Sequence, residues 1–324
     1  MRRIVAASFA CALAILSQAP AAAQDYPARP IKLVLPQPAG GAIDLISRTL
    51  GDRLAEQMQQ PVIVENQPGA NGGLAAGQVA RSAPDGYTLF MAVDTNLTVN
   101  PNLYPNLAYD PFGDFAPISV LTKVSLVLVA NPKVSANNVR ELTAHAKANP
   151  GKLNYASIGL GTQAHLGMEL FKLMTNTDIN MVSYRGTAPA MTDVVAGQVD
   201  IMFTGPPSAK AMSEGGKLKL LAVGGKQRLA LMPEVPTVDE SGVPGYELVG
   251  WFGILAPAKT PKPLLDRLTR EVRQAVTDRR FSDKMTAQGL EVVGSTADDM
   301  QALMRTDTQK WAEVIKATGA KIPQ

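Results

Sequence analysis

Cysteine is almost missing from this chain: its 324 residues include one, Cys11. It lies inside an apolar N-terminal stretch that runs on past it, which is the wrong setting for a lipid-attachment cysteine. Once that stretch is removed there is no thiol, so a disulfide, a cysteine nucleophile and a Cys-rich metal site are all excluded. Histidine is nearly as scarce, and the only two, His145 and His165, do not stand at metal-ligand spacing. No G-x-S-x-G nucleophile elbow occurs. Aromatic residues make up 5% of the chain, too few for a base-stacking surface. An excess of either charge is missing too: beyond Ala23 there are 29 basic and 28 acidic residues, because Arg2 and Arg3 precede it and no acidic residue comes before Asp25. Neither a nucleic-acid footprint nor a polybasic membrane face is expected.

What is present begins with Met1-Arg2-Arg3, an uncharged apolar run from Ile4 to Leu16, and Ala19-Pro20-Ala21-Ala22-Ala23. That is the order of a secretory signal peptide, residues 1–23, with cleavage expected near Ala23 and the periplasm as destination. The alternative, a membrane anchor, would need about 20 apolar residues. A remainder of roughly 300 residues is more than one core usually organises, so two lobes are expected.

Ile/Val/Leu-rich runs alternate with segments of helical period: Ile31–Leu35, Asp44–Met58, Val62–Val64, Leu74–Arg81, Thr88–Val93. Within the first helical segment Ile46, Leu50, Leu54 and Met58 recur at every fourth residue and form one buried stripe. A second such series runs from Leu126 to Val223, with helices expected over Val139–Ala148, Gln163–Met174 and Ala188–Ala196. The fold class is therefore α/β, each lobe a mostly parallel sheet flanked by helices. The extended run Gly245–Pro257 and the helices Leu264–Thr277 and Ala297–Thr318 are most simply returned to the first unit. This divides the chain into a discontinuous first lobe, 24–125 with 250–324, and a second lobe, 126–249. Strands near Leu126–Ala130 and Val249–Ala256 would cross between them as a hinge.

Gly159-Leu160-Gly161-Thr162-Gln163-Ala164 fits G-x-G-x-x-A, yet a dinucleotide site needs an acidic residue closing the next strand, and Asp178 precedes that strand instead. What survives is a Gly-rich turn feeding a helix whose free amides attract an anion. Pro36–Asp44 repeats the arrangement, which directs attention to Ala39, Gly40 and Gly41 in one loop and to Gly161, Thr162 and Gln163 in the other. Two such starts, one per lobe, fit a ligand with acidic groups held between them, although any parallel sheet needs turns of this kind. Asp44 either caps its own helix or meets a ligand water. His165 either donates to a ligand or packs. Thr95 and Asn96 follow a strand end, where ligands of open sheets bind. Tyr184, Arg185 and Gly186 end another strand, with Arg185 either pairing a carboxylate or lying at the surface. No cofactor and no metal is expected.

Pro36–Arg48, Val64–Gly73, Pro84–Leu89, Asn100–Tyr104, Gly159–Leu166, Tyr184–Pro189 and Val235–Gly242, in that order, resemble the extracytoplasmic solute receptors of tripartite tricarboxylate transporters, the Bug-type family. The resemblance covers essentially the whole chain beyond the N-terminal segment. It implies a two-lobe periplasmic binding-protein fold, type II-like, that closes on a small carboxylate. It also implies backbone amides of Pro38–Asp44 and Gly159–His165 as the grip, with waters bridging the rest. The implied partner is a membrane permease, and the implied state a monomer. Family ligands include di- and tricarboxylates, amino acids, nicotinate and aromatic acids. Gln37 stands where an aromatic is common, Ala42-Ile43 where Gly-Thr or Gly-Ser is common, and Gln163-Ala164 where small hydroxyl residues are common. These departures favour a ligand with an apolar or aromatic portion. The other functions open to such a chain are a ligand-presenting partner of a membrane kinase and an exported hydrolase, the latter needing a serine activated by a base that two ill-placed histidines scarcely supply.

Overall fold

The apolar runs separate into two sheets joined by crossing strands. The computed structural model describes residues 26–319, so the expected signal peptide, 1–23, lies outside the described residues. The chain runs β1 (Ile31–Leu35), α1 (Ala42–Met58), β2 (Val62–Asn66), α2 (Gly73–Ala80), β3 (Thr88–Val93), the short helices α3 (Asp94–Thr98) and α4 (Asn100–Leu103), and the long β4 (Phe115–Ser125). It then builds β5 (Val127–Ala130), α5 (Val139–Ala148), β6 (Asn154–Ser157), α6 (Gln163–Thr175), β7 (Asn180–Ser183), α7 (Thr187–Ala196), β8 (Ile201–Thr204), α8 (Pro206–Glu214) and β9 (Lys219–Val223). It closes with β10 (Val249–Pro257), α9 (Lys262–Thr277), α10 (Arg279–Thr286), β11 (Leu290–Val292) and α11 (Ala297–Thr318).

The first sheet has the order β11-β4-β10-β3-β1-β2 and the second β7-β6-β8-β5-β9. Both are mixed. In the first, β1, β2 and β3 run parallel and β10 is antiparallel to its neighbours β3 and β4. In the second, β6, β7 and β8 run parallel and β5 is antiparallel to β8 and β9. The α1 stripe read from the sequence is buried, with Ile43 added at its start. It packs on one face of the first sheet together with Leu268, Val272 and Phe281 from α9 and α10.

Two connections carry the chain between the sheets. Ser125 ends β4 opposite Val249, and β5 starts in the other sheet two residues later. The Gly224 amide donates to the Leu126 carbonyl (2.8 Å), while the Gly224 carbonyl accepts from Leu248 (2.7 Å). A Cβ on Gly224 would lie 3.0 Å from Leu248 Cβ, so the absent side chain is what lets the two crossings approach. The last helix does not stay with the first sheet. Met300 and Met304 of α11 pack against that sheet, but Trp311, Val314 and Ile315 belong to the core of the second. A single apolar stripe thus faces two cores in succession, which a helix of 22 residues, about 33 Å long, can reach.

Candidate functional site

The strand ends of both sheets open on a cavity of about 350 Å³. One wall is Pro36–Pro38 after β1, Pro68, Gly69, Asn71 and Gly72 after β2, and Val93, Thr95 and Asn96 at the end of β3 and beyond. The other is Ile158, the start of α6 from Thr162 to Ala164, Thr187 opening α7, and Met202–Gly205 ending β8. Leu126 at the crossing and Phe252 of β10 complete it. None of these side chains is charged, so the cavity offers an anion only neutral donors and helix dipole.

The wall after β2 is built by side-chain amides. Asn96 and Asn100 both donate to the Asn71 carbonyl (2.9 and 3.0 Å), and Asn71 Nδ2 donates to Asn100 Oδ1 (2.7 Å). The Tyr109 hydroxyl donates to the Asn96 carbonyl and accepts from Asn100 Nδ2. Asn96 Oδ1 also accepts the Val93 amide (3.0 Å), which fixes the turn from β3 into α3. Gly72 has φ +83°, and a Cβ on it would lie 2.4 Å from Asn96 Nδ2 and 2.8 Å from Pro36 Cβ. Only glycine fits there.

Of the residues expected from sequence, Thr95, Asn96, Thr162 and Gln163 line the cavity. Thr95 and Asn96 do so from the one-turn helix α3 rather than from a loop. Ala39, Gly40, Gly41, Asp44, Gly161, His165, Tyr184, Arg185 and Gly186 are outside its lining. The reasons differ. Ala39, Gly40 and Gly41 are exposed, and the Gly40 amide is already held by Asp44 Oδ2 (3.1 Å). Asp44 also takes Arg48 (2.9 Å) and Asn66 (3.1 Å), and the Arg48 guanidinium holds its carboxyl below the usual carboxylate range. It therefore clamps the loop before α1. The Gly161 amide donates to His165 Nδ1 (3.2 Å), so the histidine proton sits on Nε2; burial lowers the His165 pKa and keeps the ring neutral. A Cβ on Gly161 would stand 2.4 Å from Leu103 of the other sheet's region. Tyr184 donates to Asp193 (2.8 Å), and Arg185 is exposed.

At the α6 start, Thr162 caps the helix: its hydroxyl accepts the His165 amide (3.4 Å) and donates to the Gly159 carbonyl (2.9 Å). Of the first amides of α6, that of His165 is taken by this cap, whereas those of Gln163 and Ala164 have no acceptor inside the helix. Gln163 Nε2 donates to Asp94 Oδ1 (2.8 Å), tying α6 to α3. Space for that side chain comes from Gly250 of β10, where a Cβ would overlap the Gln163 carboxamide.

Sequence reading missed Asn71, Phe252 and the β8 end. Thr204 lines the cavity, is 3% exposed, and its hydroxyl has no hydrogen-bond partner. The signal was available as another strand-to-helix turn, Thr204-Gly205-Pro206-Pro207, with Pro at the first helical position. Among the described residues, no group of three or more His, Cys, Asp or Glu is placed to hold a metal, and no helix is long and apolar enough to cross a membrane.

Residues 46–320 match the family model of the tripartite tricarboxylate transporter family receptor. Protein BugT of Bordetella pertussis is 37% identical over 305 residues, 94% of either chain. Among solved structures, an R. palustris protein with adipate is 33% identical with TM-score 0.83, covering 92% of this chain and 100% of that one. MatC of Rhodopseudomonas palustris with bound malate is 30% identical with TM-score 0.79, covering 90% and 100%.

Proposed function

This chain belongs to the tripartite tricarboxylate transporter receptor family, and on that premise we propose that it captures a small carboxylate in the cavity between its sheets and hands it to a membrane permease of the same transporter type. It acts as a periplasmic solute receptor, binding without turnover. The carrying observation is the uncharged cavity lined by Thr162, Gln163 and Ala164 at the start of α6, a helix end whose free amides favour an anion. Gln163, through its second amide hydrogen, and Thr95 add neutral donors around the carboxylate, and the Thr204 hydroxyl adds one at the β8 end. Met202, Phe203, Leu126 and Phe252 supply an apolar bed for the ligand's carbon skeleton. A cavity of about 350 Å³ suits a compact molecule. The relatives solved with adipate and malate support a carboxylate as ligand class. The apolar bed favours a longer or ring-bearing acid over the shortest dicarboxylates.

The two lobes, 24–125 with 250–324 and 126–249, close on the ligand about the crossings at Leu126 and Leu248. Closure brings the exposed Ala39–Gly41 loop and the Tyr184–Gly186 turn toward the bound molecule. The receptor works as a monomer. Calorimetric titration of the chain without residues 1–23 against malate, adipate, hexanoate and benzoate tests the reading. Saturable binding of at least one, with the compound recovered unchanged, is expected. No binding by any of the four, or conversion of the bound one, sinks it.

A further inference from the structure

Asp94 lies one hydrogen bond behind the cavity wall, at the first position of α3. It is 1% exposed. Oδ1 accepts from Gln163 Nε2 (2.8 Å) and from the Thr95 amide (2.7 Å), whereas Oδ2 has no hydrogen-bond partner. A fully buried carboxylate with one empty oxygen is a poor place for a negative charge. Burial pushes its pKa up to about 7, the nearby Asp307 adds to the rise, and the Gln163 and Thr95 donors, with the neighbouring Trp251 amide, oppose it.

Neither carboxyl oxygen of Asp94 takes a hydrogen bond from a cation. From α11, Asp307 faces it, accepts a hydrogen bond from the Trp251 indole N–H (2.8 Å), and has its own pKa raised by burial. The ammonium that feels it, Lys310 on the same helix, donates to the Glu247 carbonyl (2.7 Å); burial lowers its pKa, and Glu247 and Asp307 act on it more strongly than Asp94 does. Lys123 and Glu247 act on Asp307, and Lys226 and Glu247 on Lys310. From α6 comes the neutral Gln163, and from β10 the Trp251 amide. The cavity in front contains no basic side chain.

A carboxylate entering the cavity therefore brings a further negative charge beside the buried pair Asp94 and Asp307. In a poorly polarisable enclosure that charge raises the pKa of the nearest carboxyl group. We infer that the receptor takes up a proton on Asp94 as it binds its carboxylate, making Asp94 a positioning residue that acts through Gln163 and ties affinity to pH. The inference rests on the receptor reading above. The proton comes from solvent and lands on Oδ2, the oxygen without a partner. Oδ1 keeps its bonds to Gln163 and Thr95, so the α6 start is not disturbed. To the extent that Asp94 is ionised in the free receptor, the proton offsets the one carboxylate group that enters beside it.

The sign follows. Below about pH 6 Asp94 is protonated with or without ligand, and affinity is flat. As pH rises through about 7 the free receptor loses the proton first, so binding weakens, approaching tenfold per unit, until the bound form also loses it. The tightest of malate, adipate, hexanoate and benzoate is titrated by calorimetry from about pH 7 to about pH 9, where these acids stay ionised, in phosphate and in Tris buffers of different ionisation enthalpy. The wild type is expected to take up a fraction of a proton. Asp94→Asn is expected to bind with a flat pH profile and no uptake, and Asp307→Asn to retain uptake displaced to lower pH. A carboxyl ¹³C resonance titrating near pH 7 in the wild type, and moving higher with ligand, provides a readout that needs no variant. Binding without proton uptake, uptake that survives in Asp94→Asn, or no carboxyl resonance titrating above about pH 6 overturns the linkage and leaves the receptor reading intact. Absence of binding by all four acids removes the receptor reading and the linkage together.

Discussion

Gly72 and Gln163 set the shape of the cavity from opposite walls, and each makes a distinct prediction. Gly72→Ala places a Cβ in a left-handed backbone against Asn96 and Pro36, so stability should fall by about 2 kcal/mol or more in a urea titration. Gln163→Leu removes the donor to Asp94 and a polar group from the wall. It should weaken carboxylate binding by about 1–3 kcal/mol in calorimetry while changing the melting temperature little. Asp94 links to stability as well. In the unfolded chain an aspartate releases its proton near about 4, whereas in the fold Asp94 holds it to about 7. Its favourable contribution is intact below about pH 4 and is lost as pH rises toward 7, because over that range the folded state binds the extra proton. Asp94→Asn should therefore raise the melting temperature at about pH 8 and leave it nearly unchanged at about pH 4; equal effects at both would count against a buried titrating carboxyl. Residues such as Thr95 and Thr162 could be read from sequence because strand-end and helix-start rules mark them. The engagement of Gly40 by Asp44 and of Gly161 by His165 could not, since both depend on side-chain geometry that spacing does not specify.

The last helix is the element with the largest mechanical consequence. Its first half is anchored in one core by Met300 and Met304 and its second half in the other by Trp311, Val314 and Ile315. Trp311→Ala should cost about 3–5 kcal/mol, as for other buried aromatic truncations. Faster hydrogen exchange in α6, against which α11 packs, should accompany the loss. The helix boundaries Val139–Ala148 and Ala297–Thr318, and the strand Thr88–Val93, agree with the periodicity because long apolar stripes and caps mark them. Strand β4 escaped notice because Phe115–Ser125 mixes Pro117, Lys123 and hydroxyl residues among its apolar ones. The sheet accommodates Pro117 at a register shift opposite Leu255, where no ladder amide is needed. Helices α3 and α4 are too short to show any period, yet α3 carries Asp94, Thr95 and Asn96. Their positions come from the asparagine network and not from a local pattern.

For the molecule as a whole, two crossings joined through Gly224 are expected to bend rather than slide. Ligand at saturation should lower the radius of gyration in solution scattering, and Gly224→Val, which crowds Leu126 and Leu248, should blunt that change. The position of β10 has another consequence, concerning time. Strand β10 lies between β3 and β4, although the whole second sheet separates it from them in sequence. A chain synthesised from its N-terminus therefore has residues 31–125 waiting with an unfilled slot while residues 127–223 can pair among themselves. The second sheet should form first, and the first should close only when residues 249–257 emerge. Pulse-labelled hydrogen exchange during refolding should protect β5, β6 and β8 before β1 and β3. Until then the amides of β3 and β4 that will face β10 stay open to any other extended strand, so this interval is the period of greatest exposure to aggregation, and a holding chaperone would act by covering that gap.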